Sequence, residues 1–450
     1  MFNEVDVLHR GLAFQEKSDY DAAIDAFSEA IRLNPQYAEA YYARGNTYEA
    51  KGQYDMAIAD YGRVLQFSPK EAAAYYNRGA AYAKKGDRPK AIAEYTEALR
   101  LDPKYAKVYY NRGLAFFKMN RLDEAMADYA EAIRLEPDDP DVYVSRGLVR
   151  AVRGDPEAAM ADYDAALRIN PRHSKAMGNR ANALAQNGDI EGAVAAYGEL
   201  IAIEPGDVKA RTNLAMLCFK KGDYDRAIAE YTEALRLNPK SGRTHCNRGI
   251  MHAKLHQLDR AMADYDEAIR LEPKNVEAHL CRGIARIVLG RRAEALEDYN
   301  EAIRLDAKLG KAYFNRGALH ALAGRLDQAV ADYTQVVRLD PNDAFAFCHR
   351  GVALTRKGNL EAALADYDEA IRLYPAYASA HYNRGLVHLV QGRLQESLAD
   401  LTETIRLSPD FAKAYASRAT CYHRLGDGAK ADADRATAKE LTAGLVPAEG

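Results

Sequence analysis

Two histidines four residues apart, His252 and His256 in the segment HAKLH, have the spacing that puts two imidazoles on one helical face, where a zinc ion is commonly held. Ala253 occupies the place of the glutamate that such a site uses as general base. His245 with His252, and His381 with His388, are each seven apart and stand where tyrosine occurs elsewhere in the chain, so they read as aromatic replacements on a packed face. Five cysteines, Cys218, Cys246, Cys281, Cys348 and Cys421, form no CxxC pair and read as small core residues of a reducing compartment. There is no glycine-rich phosphate loop, no HExxH and no GxSxG. The sequence therefore predicts no catalytic residues, no metal site and no cofactor.

What does recur is chemistry for recognition. Asn77, Asn111, Asn179, Asn213, Asn247, Asn315 and Asn383 are separated by multiples of 34 residues. A carboxamide carries a donor and an acceptor together, matching the C=O and N–H of a peptide backbone. The place just before this asparagine carries Tyr76, Tyr110, Phe314 and Tyr382, and Tyr42 precedes an alanine in the same register. Four residues before the asparagine stand Lys107, Lys175, Lys209, Arg243 and Lys311.

The elements that must position these residues follow the same period. Prolines at Pro35, Pro69, Pro103, Pro137, Pro171, Pro205, Pro239 and Pro273, then Pro341, Pro375 and Pro409, step by 34 with one place taken by Ala307. Glycines keep the same period at Gly11, Gly45, Gly79, Gly113 and Gly147, and again from Gly249 through Gly283, Gly317 and Gly351 to Gly385. Thirteen units starting at residues 4, 38, 72, 106, 140, 174, 208, 242, 276, 310, 344, 378 and 412 fill residues 4–445 as one continuous array, leaving short tails at 1–3 and 446–450. Within a unit, Tyr75, Gly79 and Tyr82 make the stripe of a first helix, and Ala91, Tyr95 and Ala98 that of a second. One such hairpin cannot cover its own apolar stripe, so the units must stack. Where Ala307 replaces proline, the preceding helix is expected to run on or bend.

These residues resemble the tetratricopeptide repeat: glycine at unit position 8, alanine at 20, an aromatic at 24 and proline at 32, with tyrosine in place of the family's tryptophan at position 4. The resemblance implies an all-α fold, a right-handed αα superhelix of thirteen antiparallel helix–turn–helix repeats. It also implies a non-catalytic scaffold that holds an extended peptide of a partner protein in its concave groove. The asparagines at position 6 are similar to the asparagine ladder that lines the tetratricopeptide superhelix of O-GlcNAc transferase, which implies backbone clamps at the seven asparagines named above. No unit has Lys at position 5 or Arg at position 6, which sets aside the members that grip the acidic C-termini of chaperones.

On a helical wheel, positions 4, 8 and 11 form the packing stripe, and positions 2, 5, 6, 9, 12 and 13 lie opposite. That opposite side carries an apolar surplus, for instance Leu114, Leu148, Met216, Ile250 and Phe117, part of which stacking must consume. The basic residues at position 2 predict acidic side chains in the partner. Arginine at position 7 in twelve of thirteen units, with an acid at position 23 in most, predicts a ladder of ion pairs that sets the register between hairpins. Glycines 178, 192 and 198 predict a soft segment from Ser174 to Ser241, and Arg435 and Lys439 predict a solvent-facing last helix.

With 28% charged and 48% hydrophobic residues the composition is that of an ordinary globular protein, and a net charge of −3 argues against nucleic acid as partner. No apolar run is long enough for a bilayer and the first residues have no signal-peptide pattern, so a cytoplasmic location is expected. Two further readings are self-assembly, with a homo-oligomer formed through the groove, and a regulatory or substrate-recruiting subunit of an enzyme complex.

Overall fold

The computed structural model describes residues 3–444, and every regular element among them is an α-helix. There are 26 helices, the number that thirteen hairpins require. They fall into two compact units, residues 1–223 and 224–450. The first runs from helix Glu4–Glu16 to helix Val208–Lys221 and contains six complete hairpins and the first helix of a seventh. The second opens with helix Tyr224–Leu237 and continues through six hairpins to helix Gly428–Gly444.

Each hairpin is built the same way. Its two helices are joined by a tight turn in which one residue has a left-handed backbone. Gly86 supplies it at φ 92°. Ser18, Asn120 and His256 do so without glycine, at φ 57–59°. That placement settles the HAKLH segment. The helix ends at Lys254, so His256 lies beyond it and shares no helical face with His252.

Inside a hairpin the position-8 glycine lies against the position-24 ring. A Cβ on Gly249 would sit 2.7 Å from Cε1 of Tyr265 and 3.2 Å from the Ala261 carbonyl oxygen. This close approach buries Tyr61, Tyr95, Tyr129, Tyr265, Tyr299 and Tyr367 almost completely. Each such ring contributes about 4–6 kcal/mol of gross burial free energy. The first helix of the next hairpin covers the rest, for example Val108 over Tyr95 and Leu99.

The second helix does not run on at Ala307. It ends at Leu305, and Asp306 leaves it with extended backbone while its Oδ1 accepts the Lys308 N–H at 2.9 Å. The same turn occurs at Asn34, Asp102, Asn170 and Asp340. In these units the Asp or Asn at position 31 satisfies a backbone donor locally, which is enough to end the helix ahead of Ala307 without proline, whereas helices that end before Glu136, Glu272 or Tyr374 have proline next instead. In the last helix Arg435 and Lys439 are exposed.

The arginine ladder works differently from the sequence expectation. Arg112 donates from Nε and Nη2 to both oxygens of Asp128 at 2.8 and 2.7 Å, and the two residues belong to one hairpin. Register between hairpins comes from the third nitrogen. Arg112 Nη1 reaches back to Thr96 Oγ1 at 3.0 Å, Arg248 to Thr232 at 3.1 Å and Arg384 to Asp368 at 2.7 Å. The guanidinium also lies against position-4 and position-11 rings, such as Tyr109 and Phe116. Gly62 offers Arg78 no such acceptor, and Glu94 takes only its Nη2, leaving Nε buried without a partner.

Candidate functional site

Residues at positions 2, 5, 6 and 9 of the first helices line open grooves in both units. Near the start of the first unit a groove of about 580 Å³ is bounded by Leu8, Leu12, Tyr42, Asn46, Val64 and Glu71. Further along the same unit, Asn182, Tyr197, Asn213, Met216 and Lys220 bound one of about 320 Å³. In the second unit a groove of about 650 Å³ is formed by Lys311, Phe314, Asn315, Leu339 and Phe345, with Asp340 and Asp343 at its margin.

The asparagines divide according to what the preceding hairpin offers. Asn77 donates its amide protons to the Tyr42 hydroxyl at 2.8 Å and to Asn46 Oδ1 at 3.2 Å. Asn111 donates to the Tyr76 hydroxyl at 3.2 Å and to the Lys107 carbonyl at 2.9 Å. Asn213 donates to the Tyr197 hydroxyl at 2.9 Å, and Asn383 points at Cys348 Sγ, 3.9 Å away. For Asn77, Asn111 and Asn383 position 5 thus meets position 6 of the next hairpin, while Asn213, facing Gly178 at position 5, is met by Tyr197 at position 24. Where position 5 is apolar the amide has no such partner: Val144 precedes Asn179, and Leu280 precedes Asn315. Asn179, Asn247 and Asn315 are half-buried and take no hydrogen bond among the described residues. A half-buried carboxamide in this state can still give and accept one backbone bond each.

The aromatic residues are half-buried groove walls. Burial pushes the Tyr76 phenol up to about 12, and burial likewise raises those of Tyr42 and Tyr110, so all three remain neutral donors. Tyr110 contacts Ser145 Oγ at 3.5 Å. Phe314 stands edge-on to His349 with ring centroids 5.0 Å apart, and Tyr382 lies 4.8 Å from Phe411. Of the basic residues, Lys107 covers the Tyr76 ring at 5.6 Å and Lys175 pairs with Asp141 at 3.3 Å. Lys209, Arg243 and Lys311 are exposed and take no ion pair among the described residues.

Two features were not read from the sequence. The most exposed large apolar side chains lie at position 13: Val152, Val288, Leu322 and Val390, at 60–73%. The wheel had put position 13 on this face, and the signal was the residue types there. The second is an aromatic cluster at the groove of the second unit. Phe345 is 52% exposed, with its ring 5.0 Å from Tyr377 and 6.4 Å from Tyr374.

The histidines at position 4 sit on the packing stripe. His381 Nδ1 lies 3.5 Å from Asp400 Oδ1, and its Nε2 is 3.0 Å from the Pro375 carbonyl. Two such contacts require both nitrogens to donate. The hydrogen bond to Asp400 accordingly raises the His381 pKa against the opposing effect of burial. His320, at position 11, lies 3.9 Å from Asp332 with Nδ1 buried and unbonded, and burial lowers its pKa. Among the described residues no group of three or more His, Cys, Asp or Glu is arranged to hold a metal ion, and no helix is long and apolar enough to cross a membrane.

Stacked helical hairpins with a lined groove define a helical-repeat binding protein. Models of the tetratricopeptide repeat match residues 11–52 and 351–392, and again 242–275 and 310–343. The chain carries tetratricopeptide repeats over those residues. The C-terminal domain of cilia and flagella-associated protein 70 matches residues 36–250. Among solved structures, YrrB, described as a TPR protein with an unusual peptide-binding site, is 24% identical over 41% of this chain and 95% of its own, with a TM-score of 0.38. MamA is 27% identical over 38% of this chain and 94% of its own, at a TM-score of 0.36. The Cut9–Hcn1 hetero-tetramer of the APC/C is 14% identical over 98% of this chain and 94% of its own, at 0.44. No curated protein sequence matches the chain.

Proposed function

We propose that this chain is a non-catalytic scaffold that binds an extended peptide segment of a partner protein along the inner faces of its first helices. The observation that carries the proposal is the set of half-buried amides at Asn179, Asn247 and Asn315, which have no hydrogen-bond partner among the described residues and stand in the register of groove-lining residues. Peptide N–H and C=O groups have the complementary chemistry, and an unsatisfied half-buried amide gains most from meeting them. Asn179 in the first unit, and Asn247 and Asn315 in the second, would each act within its own unit as backbone clamps similar to the asparagine ladder of O-GlcNAc transferase. Asn77 and Asn111, whose amide protons are already engaged, would contribute only their carbonyl oxygens. Exposed Lys209, Arg243 and Lys311 favour acidic side chains on the bound segment.

The test compares partners captured from a native extract by the wild-type chain and by a variant carrying Asn179→Ala, Asn247→Ala and Asn315→Ala. The reading predicts that the principal partner is lost with the helical circular dichroism unchanged, and that raising salt weakens the wild-type interaction. Unchanged capture by the folded variant would remove the amides from the binding surface.

A further inference from the structure

Cys246 and Cys281 lie at positions 5 and 6 of consecutive first helices, Gly242–Lys254 and Val276–Val288, both within the second unit. This is the register that brings Tyr42 to Asn77 at 2.8 Å, Tyr76 to Asn111 at 3.2 Å and Cys348 to Asn383 at 3.9 Å. The two helices approach to within 8 Å between Cα atoms, and Cys281 packs directly on the buried cluster that contains Cys246. Neither cysteine is in a disulfide. Two thiols 35 residues apart in sequence are thus face to face, one buried and one half-exposed on the groove wall.

We infer that Cys246 and Cys281 form a reversible oxidation site, which a hydroperoxide converts into a disulfide joining the two helices. The sulfur of Cys281, which solvent reaches, attacks one oxygen of the peroxide and becomes a sulfenic acid, and its proton passes to the other oxygen, which leaves as water from hydrogen peroxide. The Cys246 sulfur then attacks the Cys281 sulfur, and the sulfenic hydroxyl leaves as a second water with the Cys246 proton. The thiol pair loses two electrons and two protons, and the peroxide takes both. The order follows from access: Cys246 is 1% exposed while Cys281 is partly exposed, so the peroxide meets Cys281 first and Cys246 waits as the resolving group. Because both residues lie on the groove face, the bond would tie two adjacent binding helices together.

The decisive arm of the test uses the intact wild-type chain, with variants only as controls. The folded protein is treated with hydrogen peroxide, free thiols are alkylated under denaturation, and tryptic peptides are mapped without reduction. The expected product is residues 244–248 linked to residues 275–282, with a mass two hydrogens below the sum of the reduced peptides, returning to the free thiols on reduction. Cys281→Ser should abolish the product, while Cys421→Ser should leave it unchanged. Oxidation of Cys281 to sulfinic acid without the link, cross-linking between chains only, or two thiols that stay reduced while the partly exposed one remains alkylatable would each overturn the assignment. None of these readouts involves peptide binding, so the result is independent of the function proposed above.

Discussion

Replacing Gly249 with alanine adds one methyl group at a place where the structure leaves no room for it. The new Cβ would meet Cε1 of Tyr265 at 2.7 Å, Cδ1 at 2.9 Å and the Ala261 carbonyl at 3.2 Å. Tyr265 is 1% exposed and Ala261 fully buried, so neither the ring nor the backbone can step aside cheaply. Overpacking of this kind costs about 1–3 kcal/mol, against a helix-propensity gain of about 1 kcal/mol for Ala over Gly. The net expectation is a destabilisation of about 1 kcal/mol, in a range of about 0–2 kcal/mol. Gly198 provides the control: it is also inside a helix, but a Cβ there meets nothing within 4 Å. Gly198→Ala should therefore stabilise by about 1 kcal/mol. Gly385 is an intermediate case, because Leu401 replaces the tyrosine and the nearest atoms lie at 3.1–3.2 Å. Stacked repeats need not unfold in one step, so urea midpoints should be joined by amide exchange in helices Gly242–Lys254 and Leu258–Leu271. Faster exchange there in Gly249→Ala, a smaller change in Gly385→Ala and slower exchange around Gly198→Ala are expected. If Gly249→Ala proves as stable as the wild type, the close helix approach does not fix the hairpin. Ala181 already faces Tyr197 at the equivalent place, which shows that a hairpin built around the methyl can exist and makes the measurement a real contest.

Three other outcomes follow from side-chain contacts. Glu94→Asp should recover the two-point contact that Asp128 makes and satisfy Arg78 Nε, stabilising by about 1 kcal/mol in urea unfolding. Asp298→Asn removes the charge facing Arg282, Arg286 and His279 and should cost about 3–5 kcal/mol, read as lost protection of helix Arg292–Leu305. The histidines should give opposite pH slopes. His320 has a lowered pKa, so its contribution to stability falls as pH drops below the unfolded value of about 6.5, and His320→Phe should remove that loss. His381 has a raised pKa, so it stabilises fully below about 6.5 and the contribution is lost as pH rises through the folded value; His381→Tyr should erase that acid-side gain.

The fold was legible because the pattern is redundant: glycine, alanine, aromatic and proline recur in one register, and each recurrence implies the same close-packed hairpin. Departures arose where a single residue type was given too much weight. Proline at position 32 was read as the helix stop, yet Asp306 stops its helix with only a side-chain acceptor. His256 looked helical by spacing, but the turn needed a left-handed residue there. The arginine at position 7 does pair with the acid at position 23, but sequence gives no clue that this pair lies within one hairpin while the remaining nitrogen reaches the preceding one. The groove-lining positions were visible on a helical wheel. Which asparagines keep a free amide was not, since that depends on whether the preceding hairpin brings an acceptor to it, as Tyr42 and Tyr197 do and Val144 does not.

Once a partner has been captured, hydrogen exchange of this chain with and without it is the most direct measurement of where binding occurs. Slower exchange should be confined to the first helices, centred in each unit on those carrying Asn179, or Asn247 and Asn315, with the second helices unchanged. Protection that appears on the second helices, with the first helices unaffected, would contradict the account.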